Sequence, residues 1–293
     1  MFRTPVPLTI GWVVMKIDIV SVFPEYFDVM GLSLMGKAQE KGLLRITAHN
    51  LRDWTHDVHH SVDDTPVGGG AGMVMKPSVW AECLDELLGL EPADIEAPAP
   101  NDRATAPTDQ PAPVLIFPNP SAPLFTQRDA TELSHADHLL FGCGRYEGYD
   151  ARIPEYYRSR GVDVREYSIG DYVLNGGEVA TSVMIEAITR LIPGFMGNSD
   201  SIVEESYTGQ NALLEHHQYT KPAEWRGLKV PDILLSGDHG KVDRYRRDEA
   251  LERTSEIRPD LIERLDCKAL DKADRKTLIA LGWEVSSAHP RRV

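Results

Sequence analysis

Residues 164–178, VREYSIGDYVLNGGE, place Gly170, Gly176 and Gly177 within eight positions, directly after a strand-like pattern and directly before a helical one. Glycines at such a junction let the backbone approach a small polar molecule, because no Cβ stands in the way. About twenty residues earlier, CGRYEG (143–148) has the same character, a strand running into glycines and then a helix. Two such turns at the ends of successive strands predict one pocket built from backbone.

Familiar phosphate cradles do not account for these turns. GGGAGMVMK (68–76) lacks the GK[ST] ending of a P-loop, and a strand rather than a helix follows it. Residues 144–148 do not form a GxGxxG fingerprint and come too late for the first βαβ unit of a Rossmann domain. This disfavours an NTPase or a dehydrogenase. Taken alone, each glycine cluster reads as a tight structural turn. The histidine clusters His56/His59/His60 and His216/His217 lie in polar stretches without a nearby cysteine, which argues against zinc. Cys83, Cys143 and Cys267 form neither a disulfide framework nor a metal-ligand spacing, as expected in a reducing cytosol.

The elements that must position the turns alternate. The patterns predict strands at 16–23, 43–49, 73–75, 114–117, 138–143 and 164–169, and helices near 25–41, 78–89, 126–135, 149–160 and 177–192. That alternation predicts an α/β domain with a mostly parallel sheet. The last helix carries Val179, Val183, Ala187, Ile188 and Leu191 on one stripe, and Pro193-Gly194 stops it. From about 212 the chain reads as helices with short loops, at 239–256, 259–266 and 271–281.

The expected organisation is an extension at 1–14, an α/β domain at 15–197, a linker at 198–211 and a helical domain at 212–293. The Pro/Ala/Asp-rich stretch 91–113 reads as a mobile insertion. Arg3 and the apolar run ending at Met15 imitate a signal peptide, but no small-residue cleavage site follows and Lys16 and Asp18 interrupt the run. Neither secretion nor a membrane span is expected, and Met15 competes with Met1 as the start. A net charge of −14 over 293 residues argues against nucleic-acid binding driven by global charge, and leaves room for a local basic surface.

Together the segments are more specific. GGGAGM (68–73), PNPSAPLF (118–125), CGRYEGYDAR (143–152), SIGDYVLNGGE (168–178), TRLIPG (189–194), QYTKP (218–222) and LLSGDHGKVDRYRR (234–247) occur in this order. Over roughly residues 15–256 the chain closely resembles the bacterial tRNA (guanine-N1)-methyltransferases, the TrmD family of the SPOUT class. The resemblance implies a SPOUT-type parallel sheet with a deep trefoil knot, one of the rare exceptions to ordinary chain topology, followed by a small all-helical C-terminal domain. It also implies a cytoplasmic homodimer with the active site at the subunit interface.

The methyl donor implied is S-adenosylmethionine, held against Pro120, Gly144 and the loop Ile169, Gly170, Asp171, Tyr172, Val173 and Leu174, with Gly176 and Gly177 closing the pocket. Backbone N–H and C=O groups can read adenine there, and the glycines permit that approach. Packing residues are the alternative reading of Tyr172 and Leu174. The family methylates N1 of guanosine 37 in tRNA, adjacent to the anticodon. Guanine N1 is protonated near neutral pH, so the reaction needs a base for that proton and a donor for charge developing on O6. Arg190 stands at the family's catalytic arginine, although without the resemblance it reads as a surface partner of Glu186.

Two departures stand out. Where the family has an aspartate as the proposed base, this chain has Glu205, with Glu204 beside it as the alternative. The carboxylate is retained and moved by roughly one C–C bond. In PNPSAPLF, Ala122 and Pro123 stand where glycine and arginine are common in the family.

On the RNA side, Gly70, Ala71 and Gly72 resemble a loop that shapes the guanine site. Lys241, Arg244 and Arg247 at helical spacing, with Arg246 beside them, read either as a phosphate-contacting stripe or as salt-bridge partners of Asp248 and Glu249. The family's use of magnesium has no matching metal cage in the sequence. A related knotted methyltransferase of ribosomal RNA and a catalytically weakened RNA-binding module are the competing readings.

Overall fold

The computed structural model describes residues 14–94, 113–197, 205–209 and 211–293. Most of the expected extension at 1–14 and of the insertion at 91–113, and Glu204 with the first half of the expected linker, lie outside the described residues. The chain divides into two compact units, Met1–Gly197 and Asn198–Val293.

The first unit is built on a five-stranded sheet of order β2-β1-β6-β5-β7, from β1 (Met15–Ser21), β2 (Leu44–Asn50), β5 (Val114–Pro118), β6 (His138–Gly142) and β7 (Asp163–Tyr167). Every pairing is parallel, as the alternation predicts. Parallel strands bury both faces, so their sequences are nearly continuously apolar. Ile17, Ile19, Ile116, Leu139 and Phe141 enter one core, and Val20, Leu115, Phe117 and Leu140 enter the other. The first core is covered by α1 (Ser33–Glu40), α3 (Gln127–Leu133) and α5 (Glu178–Thr189), the second by α2 (Pro77–Leu88) and α4 (Arg152–Ser159). Local signals set the ends of α2, with proline at its start and Gly89 in the left-handed conformation at its end.

Several expectations are corrected. The helix predicted over 25–41 is two pieces, a 3-10 helix at Pro24–Gly31 and then α1, with Leu32 extended between them. Gly31, a poor helix former, lies at the break. Its carbonyl oxygen comes so close to Gly36 that a Cβ there would lie 2.2 Å away. The strand expected at 73–75 does not join the main sheet. As β4 (Val74–Met75) it forms an antiparallel ribbon with β3 (Asp63–Asp64). The helix expected from 149 begins at Arg152. On α5 the buried face is Ala180, Thr181, Met184, Ile185 and Ile188, whereas Val179 and Val183 face outward. Of the predicted stripe Ile188 is buried and Ala187 and Leu191 pack against the core, and only Val179 and Val183 are misplaced, because this helix is apolar on more than one side.

The second unit packs α6 (His239–Ile257), α7 (Pro259–Ile262) and α8 (Lys272–Ala280) around Leu251, Ile262, Leu265, Leu278 and Trp283. Asp238 and Asp271 cap α6 and α8 by accepting from the amides of Lys241 and Asp274. The helix expected over 259–266 ends at Ile262. Two short hairpins went unforeseen, β8 (Glu224–Trp225) with β9 (Leu228–Lys229), and β10 (Trp283–Glu284) with β11 (Arg291–Arg292). Residues 205–209 and 211–215, partly within the expected linker, are fixed to one another and to α6. The Tyr207 amide donates to the Leu213 carbonyl at 3.0 Å and the Leu214 amide to Thr254 Oγ1 at 2.9 Å.

Candidate cofactor site

Strands β6, β5 and β7 are neighbours and parallel, so the loops after them emerge along one edge of the sheet. Backbone hydrogen bonds join those loops. The Asn119 amide donates to the Tyr167 carbonyl at 2.9 Å, the Phe125 amide to the Ser168 carbonyl at 2.8 Å, and the Gly177 amide to the Gly144 carbonyl at 2.8 Å. The glycine-rich 68–76 segment joins them, with the Glu147 amide donating to the Met73 carbonyl at 3.0 Å and the Met75 amide to the Gly148 carbonyl at 2.9 Å. Three of the glycine-bearing stretches read from the sequence are thus one hydrogen-bonded structure.

The loops after the three strands enclose a cavity of about 430 Å³, within the range of small-molecule sites. Of the expected cofactor residues, Pro120, Gly144, Ile169, Tyr172, Val173, Leu174, Gly176 and Gly177 line it. Gly170 and Asp171 belong to the same loop but are not among the lining residues, nor are Gly70, Ala71 and Gly72. Gly177 is needed at its position: a Cβ there would lie 3.0 Å from Cys143 Cα and 3.2 Å from the Gly144 nitrogen, both backbone atoms. The same close approach brings the first turn of α5, with its unpaired N–H groups, next to the cavity.

Sequence reasoning missed a polar group that lines the same cavity, Glu166. Its carboxylate accepts from Tyr149 Oη at 2.8 Å, Asn119 Nδ2 at 3.0 Å and Arg158 Nη2 at 2.7 Å, and all four residues line the cavity. Burial pushes the Glu166 carboxyl up, but the hydrogen bonds from Arg158, Asn119 and Tyr149 outweigh it and hold the group below the usual carboxylate range. Burial and the bond to Glu166 push the Tyr149 hydroxyl up, so it stays a donor. Glu166 sits within the quoted VREYSIG stretch, and its charge in an otherwise half-buried strand was the available signal. Cys143 beside the cavity is fully buried, and burial pushes its thiol up, which leaves it a packing group.

Arg190 caps the C-terminal end of α5. In the second unit, Glu205 lines a separate cavity of about 240 Å³ together with His216, Asp243, Arg246 and Arg247. The cationic stripe is largely neutralised internally. Arg244 pairs with Asp248 at 2.6 Å and Asp274 at 2.8 Å, and Arg247 pairs with Asp274 at 3.0 Å. Arg244 thus pairs with Asp248 as the salt-bridge alternative has it, whereas Arg247 pairs with Asp274 and Glu249 pairs with His217 instead. Lys241 pairs with Asp238 at 2.9 Å. Among the described residues, no group of three or more His, Cys, Asp and Glu side chains is placed to hold a metal ion. Nor is any helix among them long and apolar enough to cross a membrane.

A parallel α/β sheet whose strand-end turns close a cavity of backbone and glycine has the architecture in which α/β proteins hold small ligands, outside the carboxyl ends of the strands. The chain's family follows from comparison. Residues 15–264 match the family model described as tRNA (Guanine-1)-methyltransferase TrmD, and the chain belongs to that family. It is 81% identical over 286 residues to a protein of Bifidobacterium longum (strain DJO10A) named tRNA (guanine-N(1)-)-methyltransferase, covering 95% of this chain and 99% of the relative. A protein of the same name from Bifidobacterium adolescentis (strain ATCC 15703 / DSM 20083 / NCTC 11814 / E194a) is 74% identical, covering 95% of this chain and 100% of the relative. One from Thermobifida fusca (strain YX) is 51% identical, covering 93% and 98%.

Proposed function

We propose that this chain is a tRNA (guanine-N1)-methyltransferase that moves the methyl group of S-adenosylmethionine to N1 of guanosine 37, in the cytoplasm. The observation that carries this reading is the glycine-walled cavity at the ends of β5, β6 and β7, in a chain of this family. The residues fit the methyl donor. The position a Gly177 Cβ would fill is taken up by a backbone crossing, Tyr149 and Asn119 supply polar contacts near Glu166, and Ile169, Leu174 and Pro120 supply apolar walls. Bound there, S-adenosylmethionine supplies an electrophilic methyl group on a sulfonium.

The chain's own residues then handle the proton and the charge. Glu205 accepts the N1 proton of guanine, and Arg190 stabilises the negative charge developing on O6. Arg246, which lines the same cavity as Glu205, supplies a cation for a phosphate of the substrate. The knot expected of the family is supported by the loop 168–177, which bonds both the 119–125 and 143–148 loops. The homodimer is supported by exposed apolar side chains on the first unit, among them Tyr26, Val29, Leu32, Val179 and Val183. In that assembly the Glu205 segment of one copy serves the cofactor cavity of the other.

The test is methyl transfer to tRNA transcripts carrying guanosine or adenosine at position 37. Labelled methyl on the guanosine transcript alone is expected. Equal labelling of both, or of neither, contradicts the proposal.

A further inference from the structure

The hairpin β8–β9 stands out on the second unit. Trp225 is 57% exposed and Leu228 is 69% exposed, so the ribbon's large side chains serve no core. The two strands are joined by Arg226 and Gly227 alone, with φ of +52° and +80°. A two-residue turn with both φ positive favours Asn-Gly or Asp-Gly, because an ordinary side chain is strained in the left-handed region. Arginine at that position is therefore an expensive choice for the turn itself. Its guanidinium lies 4.9 Å from the Trp225 ring centroid, and among the described residues no carboxylate pairs with it. Around it, residues 219–230 hold Lys221, Arg226 and Lys229 against a single acid, Glu224, in a chain whose net charge is −14. Only Lys229 reaches Glu224, at 4.0 Å.

We propose that this hairpin is an RNA contact, with Trp225 stacking on an unpaired base of the tRNA and Arg226 and Lys221 meeting the adjoining phosphates. An exposed indole paired with a guanidinium matches single-stranded RNA, whose bases offer π-faces and whose backbone offers negative charge. A contact between two copies of this chain would have no need of unpaired cations around the ring. The inference rests on the tRNA reading of the preceding section.

The experiment measures binding of labelled tRNA to the full chain by fluorescence anisotropy, across a salt series. Trp225→Ala should weaken binding roughly tenfold, and Trp225→Phe should retain most of the affinity. Arg226→Asn separates function from structure: it should raise the melting temperature, because Asn tolerates the left-handed turn, while weakening tRNA binding and lowering the salt slope by about one. S-adenosylmethionine binding should not change in any of the three. Wild-type affinity in both Trp225→Ala and Arg226→Asn overturns the hairpin's role. So does loss of dimer in Trp225→Ala by sedimentation velocity, which would make the hairpin a contact between copies. A wild-type chain that binds no tRNA at all overturns the tRNA reading as well.

Discussion

Arg145 Nε donates to Glu178 Oε1 at 3.0 Å, tying the turn after β6 to the first residue of α5. Ser21 Oγ, at the end of β1, donates to the same oxygen at 2.7 Å. The Arg145 guanidinium also lies over the rings of Phe23 and Tyr26, at 4.7 and 5.2 Å. The ends of β1 and β6 and the start of α5 are thereby locked around a carboxylate that is 1% exposed. Burial pushes the Arg145 guanidinium down, and its bonds to Glu178 and Tyr26 more than reverse this and favour the charged form.

Removing one charge of this pair should therefore strand the other. Glu178→Gln is expected to lose about 3 kcal/mol of stability, read as a lower urea midpoint at unchanged slope. Because Gly176 and Gly177 precede Glu178 directly, the same variant should bind S-adenosylmethionine more weakly. Wild-type values for both would contradict the lock.

Gly177→Ala tests the close approach of backbones. A Cβ 3.0 Å from Cys143 Cα must push apart the two walls of the cavity, since neither neighbour is a flexible side-chain tip. Calorimetric titration should show S-adenosylmethionine affinity falling about tenfold or more. Gly197→Ala, where nothing lies within 4 Å of the added atom, should leave it unchanged.

Chemistry should separate from cofactor binding at Glu205 and Arg190. Glu205→Gln is expected to cut turnover by 10²–10⁴, roughly the worth of a general base. Arg190→Ala should cost about 10²–10³. Titrations with S-adenosylmethionine should match wild type in both. A fully active Glu205→Gln would remove the base assignment.

Asp18 predicts the acid limb of stability. It is buried and accepts from His138 at 2.7 Å, His49 at 2.8 Å and Lys16 at 2.7 Å. Burial pushes its carboxyl up, but these bonds outweigh it and hold the group far below the usual carboxylate range. A depressed folded-state value contributes stability in full above the unfolded value near pH 3.9 and loses it as pH falls through the folded one. Asp18→Asn should lower stability at pH 7 by about 3 kcal/mol and flatten its decline below about pH 4. Urea titrations at pH 7, 5 and 3 would reveal this.

Much of this was legible because strand patterns and glycine turns are local signals. The five parallel strands and the joining of CGRYEG to SIGDYVLNGGE follow from alternation and from glycine's freedom. What stayed hidden depends on long-range contacts. Glu166 reads as one more strand charge until Tyr149, Asn119 and Arg158 converge on it. Arg244 and Arg247 read as salt-bridge partners no less than as an RNA stripe, and Asp274, some thirty residues later, is the shared acceptor that neither reading named. The outward faces of Val179 and Val183 could not be told from the buried one, since α5 carries apolar residues on both.

Hydrogen–deuterium exchange with and without S-adenosylmethionine tests most directly whether the glycine turns form the cofactor site. Protection is predicted in peptides covering 143–149 and 168–178, including the Gly144 and Gly177 amides, with a weaker effect near 118–121. Protection confined to other segments, or none at saturating S-adenosylmethionine, would contradict the account.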